Sequence, residues 1–323
     1  LYYGCTVGLC SGLKMLPKCL DAFKPTILCL VPLYVETFRS KILRAAKEGG
    51  RERQLAFACK ASSLLRRIGV DVSDKLLAQP REAFGGRLRL VICGGAPLDP
   101  AYAPFYRSLG INLIQGYGIS ECSPIVSVNR NNEFKDDSVG RVISCARVRF
   151  DESGQIWVNG PSVMAGYLDE EAETLVDGWF PTGDLGCLDA DGFLHITGRC
   201  KDIIVLSNGK NVMPQEIERA LTACDSVAEA VVIGGPGTGN GSECLAAHIY
   251  PDFEAIGLDA KSPEAAAAAR DRVRADIRRV NRGLAFYKRI ATFAVRAEPF
   301  EKTTTRKVKR FLLVEDTKGM VHV

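Results

Sequence analysis

Two short apolar runs, each followed at once by glycines, constrain this chain more than any other feature in it. Residues 88–93 form a β-rich apolar run ending in Gly94-Gly95, and residues 111–115 form another ending in Gly116-Tyr117-Gly118. Between them, Asp99 and Pro100 supply an N-cap and a first-turn proline for a helix over 101–109. Strand, helix and strand at this spacing predict the βαβ unit of a parallel sheet. Open α/β sheets bind their ligands at the carboxyl ends of such strands, where glycines let a flat molecule approach the backbone.

The flanking segments read differently. Residues 1–80 are mainly helical in pattern, with a buried strand expected at 26–31 between two prolines. From 146 to 159 the periodicity switches to two, and Glu152-Ser153-Gly154 predicts a hairpin turn. Another strand is expected at 192–197, followed by a hydrophilic stretch from 198 to 213 that we take to contain a domain boundary near Lys201. Beyond it a compact α+β unit is expected: a helix from Pro214, strands at 227–233 and 244–250, and a long helix from Pro263 to about 281. The alanine run in that last segment reads as a good helix and not as a low-complexity linker. Gly234–Gly241 is most simply a mobile hairpin loop, because it lacks the Lys-Ser/Thr ending of a phosphate loop.

Bulk properties exclude several classes. At 323 residues, 46% hydrophobic and 25% charged, the chain suits two globular domains. A net charge of +4 with dispersed basic residues leaves no nucleic-acid footprint. No apolar stretch reaches the roughly 18–20 residues that span a bilayer. The chain shows no signal-peptide pattern, and it starts at Leu1 instead of Met, which suggests a fragment. Its 12 cysteines form no CxxC pair and read as reduced cysteines used as small hydrophobes, most of them in apolar runs such as those of Cys29 and Cys93. Cys244 and His248 have no second pair to complete a zinc site, and a reducing cytosol fits best.

Four segments carry residue types that packing alone explains poorly. Gly94-Gly95-Ala96-Pro97 is a backbone-approach loop, or simply a good turn. In Gln115-Gly116-Tyr117-Gly118-Ile119-Ser120-Glu121, an aromatic ring between glycines suits base stacking, and a hydroxyl beside a carboxylate suits phosphate and Mg²⁺. The alternative is an ordinary loop with a surface tyrosine. Gly178-Trp179-Phe180-Pro181-Thr182-Gly183-Asp184 presents one carboxylate suited to a ribose diol, or a loop cap. Gly198-Arg199-Cys200-Lys201-Asp202, with Ser207-Asn208-Gly209-Lys210 behind it, suits a hinge facing phosphate, or a solvated linker.

In this order the segments resemble the adenylate-forming superfamily of acyl-CoA synthetases, nonribosomal adenylation domains and firefly luciferase. The lysine segment Glu301-Lys302-Thr303-Thr304-Thr305-Arg306-Lys307-Val308 completes the match. Phe23-Lys24-Pro25-Thr26 and Ser123-Pro124, with Ser127-Val128-Asn129, look most like bacterial long-chain acyl-CoA synthetases. The resemblance implies a large α/β domain of mixed sheets and helices, truncated at its start and carrying a small β-barrel-like subdomain (residues 1–200). A small, mobile α+β lid follows (residues 201–323). It implies ATP-dependent formation of acyl-AMP from a fatty acid, Mg²⁺ as the ion, coenzyme A as the acceptor, a cytoplasmic enzyme and no nucleic-acid partner. Peripheral membrane contact is compatible with such a substrate.

The roles it implies fall residue by residue. Gly95, Ala96 and Pro97 line the adenine slot and the start of the acyl pocket, and Tyr117 and Gly118 lie on the adenine. Ser120 meets phosphate and Glu121 the Mg²⁺. Asp184 takes the ribose hydroxyls, with Arg199 in support. Lys201 is the hinge, Gly209 lines the pantetheine channel, and Lys307 bridges the reacting carboxylate and the α-phosphate. Two departures stand out. The Ser/Thr/Gly-rich triphosphate loop ending in Pro-Lys-Gly is absent and is expected upstream of Leu1, and Arg306 replaces the usual glycine before the lysine. A carrier-protein acceptor and a non-catalytic nucleotide-binding relative are the rival readings.

Overall fold

Proline placement and helix-breaking glycines divide the first part of the chain into short elements. In the computed structural model, which describes residues 4–10, 12, 15–168, 174–235, 244–259, 263–302, 308–313 and 319–323, they follow the expected alternation. Two compact units result: Leu1–Asp151 with Ile156–Thr182 and Cys187–Ile196, and Glu152–Gln155 with Gly183–Gly186 and Thr197–Val323.

In the first unit, helix α1 (Leu16–Phe23) leads into strand β1 (Ile27–Leu30) and then α2 (Pro32–Glu48) and α3 (Glu52–Arg67). Pro32 opens α2 because its missing N–H falls where no helical partner exists. The short turns α4 (Ser73–Leu76) and α5 (Ala78–Glu82) precede β2 (Leu90–Cys93), α6 (Tyr102–Ser108) and β3 (Asn112–Gly118). Asp99 stays outside α6, and its carboxylate accepts the Ala101 N–H at 2.8 Å. β1, β2 and β3 are parallel, and β4 (Ile125–Val128) and β5 (Arg141–Val142) extend the sheet antiparallel in the order β1-β2-β3-β4-β5. Helices α2 and α6 cover it with Val35, Phe38, Ile42, Ala103 and Tyr106, against Val91 and Leu113 of the sheet. The Tyr106 hydroxyl donates to the Val35 carbonyl at 2.6 Å, so the largest buried ring carries no unpaired polar atom.

The strand expected to be buried at 26–31 is an edge strand instead, and Ile27 and Cys29 are exposed. The small-hydrophobe reading of the cysteines therefore holds for Cys93, Cys122 and Cys224, which are buried, and fails for Cys5, Cys10, Cys29, Cys145 and Cys187.

A second sheet runs β6 (Arg147–Phe150), β7 (Gln155–Asn159), β8 (Phe180–Leu188) and β9 (Leu194–Arg199), with the predicted hairpin between β6 and β7. It is an open sheet of four strands with β6 and β9 at its edges, and no closing pair joins them among the described residues. Closure around a filled interior takes about eight strands. Here Ile156, Val158, Phe180 and Leu194 bury one face against Cys122 and Val126 instead.

The long stretch of the second unit from Thr197 carries a ribbon of β10 (Ile204–Val205) and β11 (Asn211–Val212), then α7 (Pro214–Thr222). β12 (Val227–Gly235), β13 (Cys244–Pro251), α8 (Pro263–Gly283), β14 (Ile290–Val295) and β15 (Val321–His322) complete it, with sheet order β12-β13-β14-β15. The alanine-rich stretch is indeed a helix: Ala265, Ala269, Val273 and Ile277 recur on one buried face. Gly234 and Gly235 belong to β12, and the rest of the glycine-rich loop lies outside the described residues.

Candidate nucleotide site

The first unit gathers the predicted adenine and phosphate residues along neighbouring strand ends. β2 and β3 run in register, with Cys93 opposite Gln115, so the Gly94-Gly95-Ala96-Pro97 loop leaves the sheet beside Gly116-Tyr117-Gly118. Gly95, Ala96 and Pro97 are exposed at this edge, and Gly95 has φ +85°, which an L side chain would strain. The backbones are in close apposition. A Cβ on Gly94 would lie 3.2 Å from the Gly116 carbonyl oxygen, and one on Gly118 would lie 2.0 Å from that of Pro124. No side chain fits at Gly118, so this turn is shaped by backbone alone.

β3 runs further than the apolar pattern suggested, through the glycines to Gly118, because antiparallel β4 pairs with Gly116, Tyr117 and Gly118. Tyr117 is half-buried, with its ring body against the cluster around Cys122 and Val126. A 3₁₀ turn, Ser120–Cys122, then presents Ser120 to solvent, and Glu121 is half-buried. The turn is closed on itself: the Ile119 N–H donates to the Pro124 carbonyl at 2.8 Å, and Cys122 plugs the core beneath.

Tyr167 was not anticipated. Its hydroxyl donates to Glu121 Oε1 at 2.9 Å, and the Met164 N–H donates to the Glu121 carbonyl at 2.8 Å, tying the loop after β7 to the acidic turn. Gly166-Tyr167 repeats the glycine–tyrosine pairing of Gly116-Tyr117, which was the available signal.

From below, Asn129 and its neighbours fix β3. The Asn129 N–H donates to the Gln115 carbonyl at 2.9 Å, and the Gln115 side chain donates to the Asp136 carbonyl at 2.7 Å. Arg107 pairs with both Asp136 carboxylate oxygens. Nearby, Lys135 bridges Asp189 and Asp191 at 2.6 Å each, and His195 Nε2 lies 3.1 Å from Asp189. The Lys135 ammonium is the main cause holding the Asp189 carboxyl well below the usual carboxylate range.

The second unit holds the other predicted residues. Asp184 on β8 is buried, its side chain 6% exposed, and Arg199 at the end of β9 donates from Nε to Asp184 Oδ1 at 2.8 Å. The arginine itself is 51% exposed, so its guanidinium orients the carboxylate while remaining hydrated. Lys201 sits exposed in the 3₁₀ turn Cys200–Asp202. Gly209 lies exposed at the tip of the β10–β11 ribbon, where its N–H donates to the Leu206 carbonyl at 2.8 Å.

Lys307 and Arg306 lie outside the described residues, but both stems of their segment are described. Lys302 and Val308 form an antiparallel bridge. Lys302 Nζ pairs with Glu229 at 2.6 Å, and Arg310 pairs with Glu218 of α7. Burial pushes the Glu218 carboxyl above the ordinary glutamate value, while Arg310 and the Val232 N–H pull the other way. No local pattern in the sequence points to this cluster, whose members are charged residues on separate elements.

The donor sets fit a nucleotide and Mg²⁺. The strand-end glycines Gly95 and Gly118 are exposed, where a flat base could approach the backbone. One carboxylate, Glu121, is what an Mg²⁺ shared with phosphate oxygens requires, since that ion is commonly held by one or two carboxylates plus phosphates. Among the described residues no group of three His, Cys, Asp or Glu forms a self-contained metal cage. No helix among them is long and apolar enough to cross a membrane.

Comparison with known proteins bears on the same segments. The AMP-binding enzyme family model matches residues 1–168, and that of the AMP-binding enzyme C-terminal domain matches 201–318. The chain belongs to the AMP-binding enzyme family. This AMP-binding enzyme is 38% identical over 245 residues to a long-chain-fatty-acid–CoA ligase of Mycobacterium bovis, covering 71% of the chain and 41% of the relative. It is 30% identical over 254 residues to long-chain-fatty-acid–CoA ligase 6 of Rattus norvegicus, covering 72% and 36%. Among solved structures it matches the o-succinylbenzoate–CoA synthetase of Bacillus subtilis in complex with ATP and magnesium, at TM-score 0.57 and 26% identity, over 70% of this chain and 46% of that one. The chain thus spans about two fifths of the length of these two relatives. The resemblance to the adenylate-forming superfamily is borne out, as is the expected α/β and α+β architecture.

Proposed function

We propose that the protein activates a long-chain fatty acid with ATP and transfers the acyl group to coenzyme A. The observation that carries this reading is the glycine-lined end of β2 and β3, with Glu121 held beside it. There the glycine turns leave the strand ends side by side, and Glu121 is held by Tyr167 next to them, which supports a place for a planar base and a phosphate-bound cation. The fatty-acid assignment leans on the names of the relatives.

In this reading Gly95, Ala96, Pro97, Tyr117 and Gly118 bind the base, Ser120 the phosphate and Asp184, steadied by Arg199, the ribose. Glu121 would hold Mg²⁺, which supplies positive charge against the phosphate oxygens. A carboxylate oxygen of the acid attacks the α-phosphorus, and the bond to pyrophosphate breaks, giving acyl-AMP. The Lys307 ammonium stabilises the negative charge that gathers there. In the second step the thiol of coenzyme A, losing its proton, attacks the acyl carbonyl, and AMP leaves. No enzyme nucleophile is needed, so none of the 12 free thiols takes part. Those thiols suit a reducing compartment such as the cytoplasm. Lys201 is the hinge of a lid beginning at residue 201, and Gly209 faces pantetheine.

The test is a fatty-acid panel with ATP and Mg²⁺, with and without coenzyme A, run on the complete polypeptide and on Lys307→Ala. Pyrophosphate release that depends on Lys307, together with a coenzyme A thioester, is expected. Adenylate without thioester would point to a carrier-protein thiol, and no pyrophosphate from any acid would refute the enzyme reading.

A further inference from the structure

The cluster around Glu218 is built for geometry more than for stability. Glu218 lies one turn into α7, its side chain 13% exposed, and its Oε1 accepts the Val232 N–H at 2.7 Å. β12 is the edge of its sheet, so Val232 turns its N–H and C=O away from β13. Arg310 completes the edge: its Nη1 donates to the Val232 carbonyl at 3.3 Å, and its Nη2 pairs with Glu218 Oε2. The same guanidinium reaches towards Asp202, with Nε 3.8 Å from Oδ2, and Gln215 donates to that oxygen at 2.8 Å. Four polar residues thus join helix α7, the open edge of β12, the turn containing Lys201 and the residue three places after Lys307.

A well-packed apolar pair would stabilise this spot as well as a buried ion pair does, because desolvation offsets most of the Coulomb gain. What an apolar pair lacks is direction. The arginine fork engages a carboxylate and a carbonyl at once, which fixes Arg310 and the described stem around it. The other stem is held independently by Glu229, which pairs with Lys302 and accepts the Phe300 N–H at 3.2 Å. Phe300 and Leu313 are buried on the same sheet face beside Val231 and Ile233. Both ends of the lysine segment are therefore fixed to β12 and α7.

We propose that Glu218 is a positioning residue for adenylate formation: through Arg310 it sets the stem that places Lys307. The inference rests on the role given to Lys307 above. It makes a claim that a general structural role does not, since only the first half-reaction uses that lysine. A displacement of about 1 Å at a reacting group costs on the order of 100-fold in rate.

The complete polypeptide is to be assayed for both half-reactions as wild type, Glu218→Gln, Arg310→Lys and Lys307→Ala. Acid-dependent pyrophosphate release reports the first, and thioester formation from supplied acyl-AMP and coenzyme A the second. For Glu218→Gln and Arg310→Lys we expect kcat of adenylation to fall roughly 10- to 100-fold, with KM for ATP little changed. Thioester formation should stay within about twofold, a ratio a purely structural role would not produce. Should Glu218→Gln fail to fold, the same ratio in Arg310→Lys decides. Equal losses in both half-reactions, or no loss in either, overturn the inference and leave the function reading intact if Lys307→Ala has lost adenylation. Unchanged adenylation in Lys307→Ala removes the lysine's role, and this inference falls with it.

Discussion

Neutralising Asp184 separates the ribose-binding role proposed for it from its structural one. In Asp184→Asn the side chain keeps its shape, so no cavity forms at a position only 6% exposed. One interaction the fold loses is the ion pair with Arg199 at 2.8 Å. That arginine is 51% exposed and is hydrated when unpaired, so the pair is worth no more than an exposed one, roughly 0–1 kcal/mol. For units of this size such a loss lowers Tm by no more than about 4 °C. A ribose diol held by a carboxylate, in contrast, loses charge-assisted hydrogen bonds worth about 1.5–3 kcal/mol. At about 1.4 kcal/mol per decade, the affinity for AMP should fall roughly 10- to 150-fold. Titration calorimetry with AMP, beside a thermal melt of the same preparations, reads both quantities. Unchanged AMP affinity would refute the ribose assignment. A Tm loss far above 4 °C, with affinity falling only in proportion to unfolded protein, would show that Asp184 serves the fold alone.

Two further outcomes follow from the same structure. Gly118→Ala places a Cβ 2.0 Å from a backbone oxygen, so the 118–124 turn must shift; AMP affinity should drop at least tenfold, and an undisturbed affinity would disprove the close approach. Asp189 has a depressed folded pKa, so its contribution to stability is complete above the unfolded carboxyl value of about 3.9 and is lost as pH falls towards the folded one. The Tm gap between wild type and Asp189→Asn should therefore be widest near pH 7 and shrink below about pH 3.9, and a gap independent of pH would contradict the Lys135–Asp189 pairing.

Much of the architecture is written locally. Pro32, Pro214 and the apolar spacing of 265, 269, 273 and 277 mark helices because they act within a turn or two of chain. The glycines at 94, 95, 116 and 118 announced a backbone-built strand edge for the same reason: missing side chains are visible in any sequence. What the sequence by itself left open was partnership across distance. Whether β1 would lie inside the sheet or at its edge depended on which strands paired, and Cys29 came out exposed. β3 extended through its glycines because β4 folded back upon it.

The polar pairs show the limit most clearly. Arg199 and Asp184 are 15 residues apart, Tyr167 and Glu121 are 46 apart, and Arg310 and Glu218 are 92 apart. A charged residue has the same local signature whether it is solvated or buried against a partner. Residue types and local spacing therefore determined the elements and the family, whereas strand order and helix docking alone decided which charges met, because burial and pairing are properties of the assembled core.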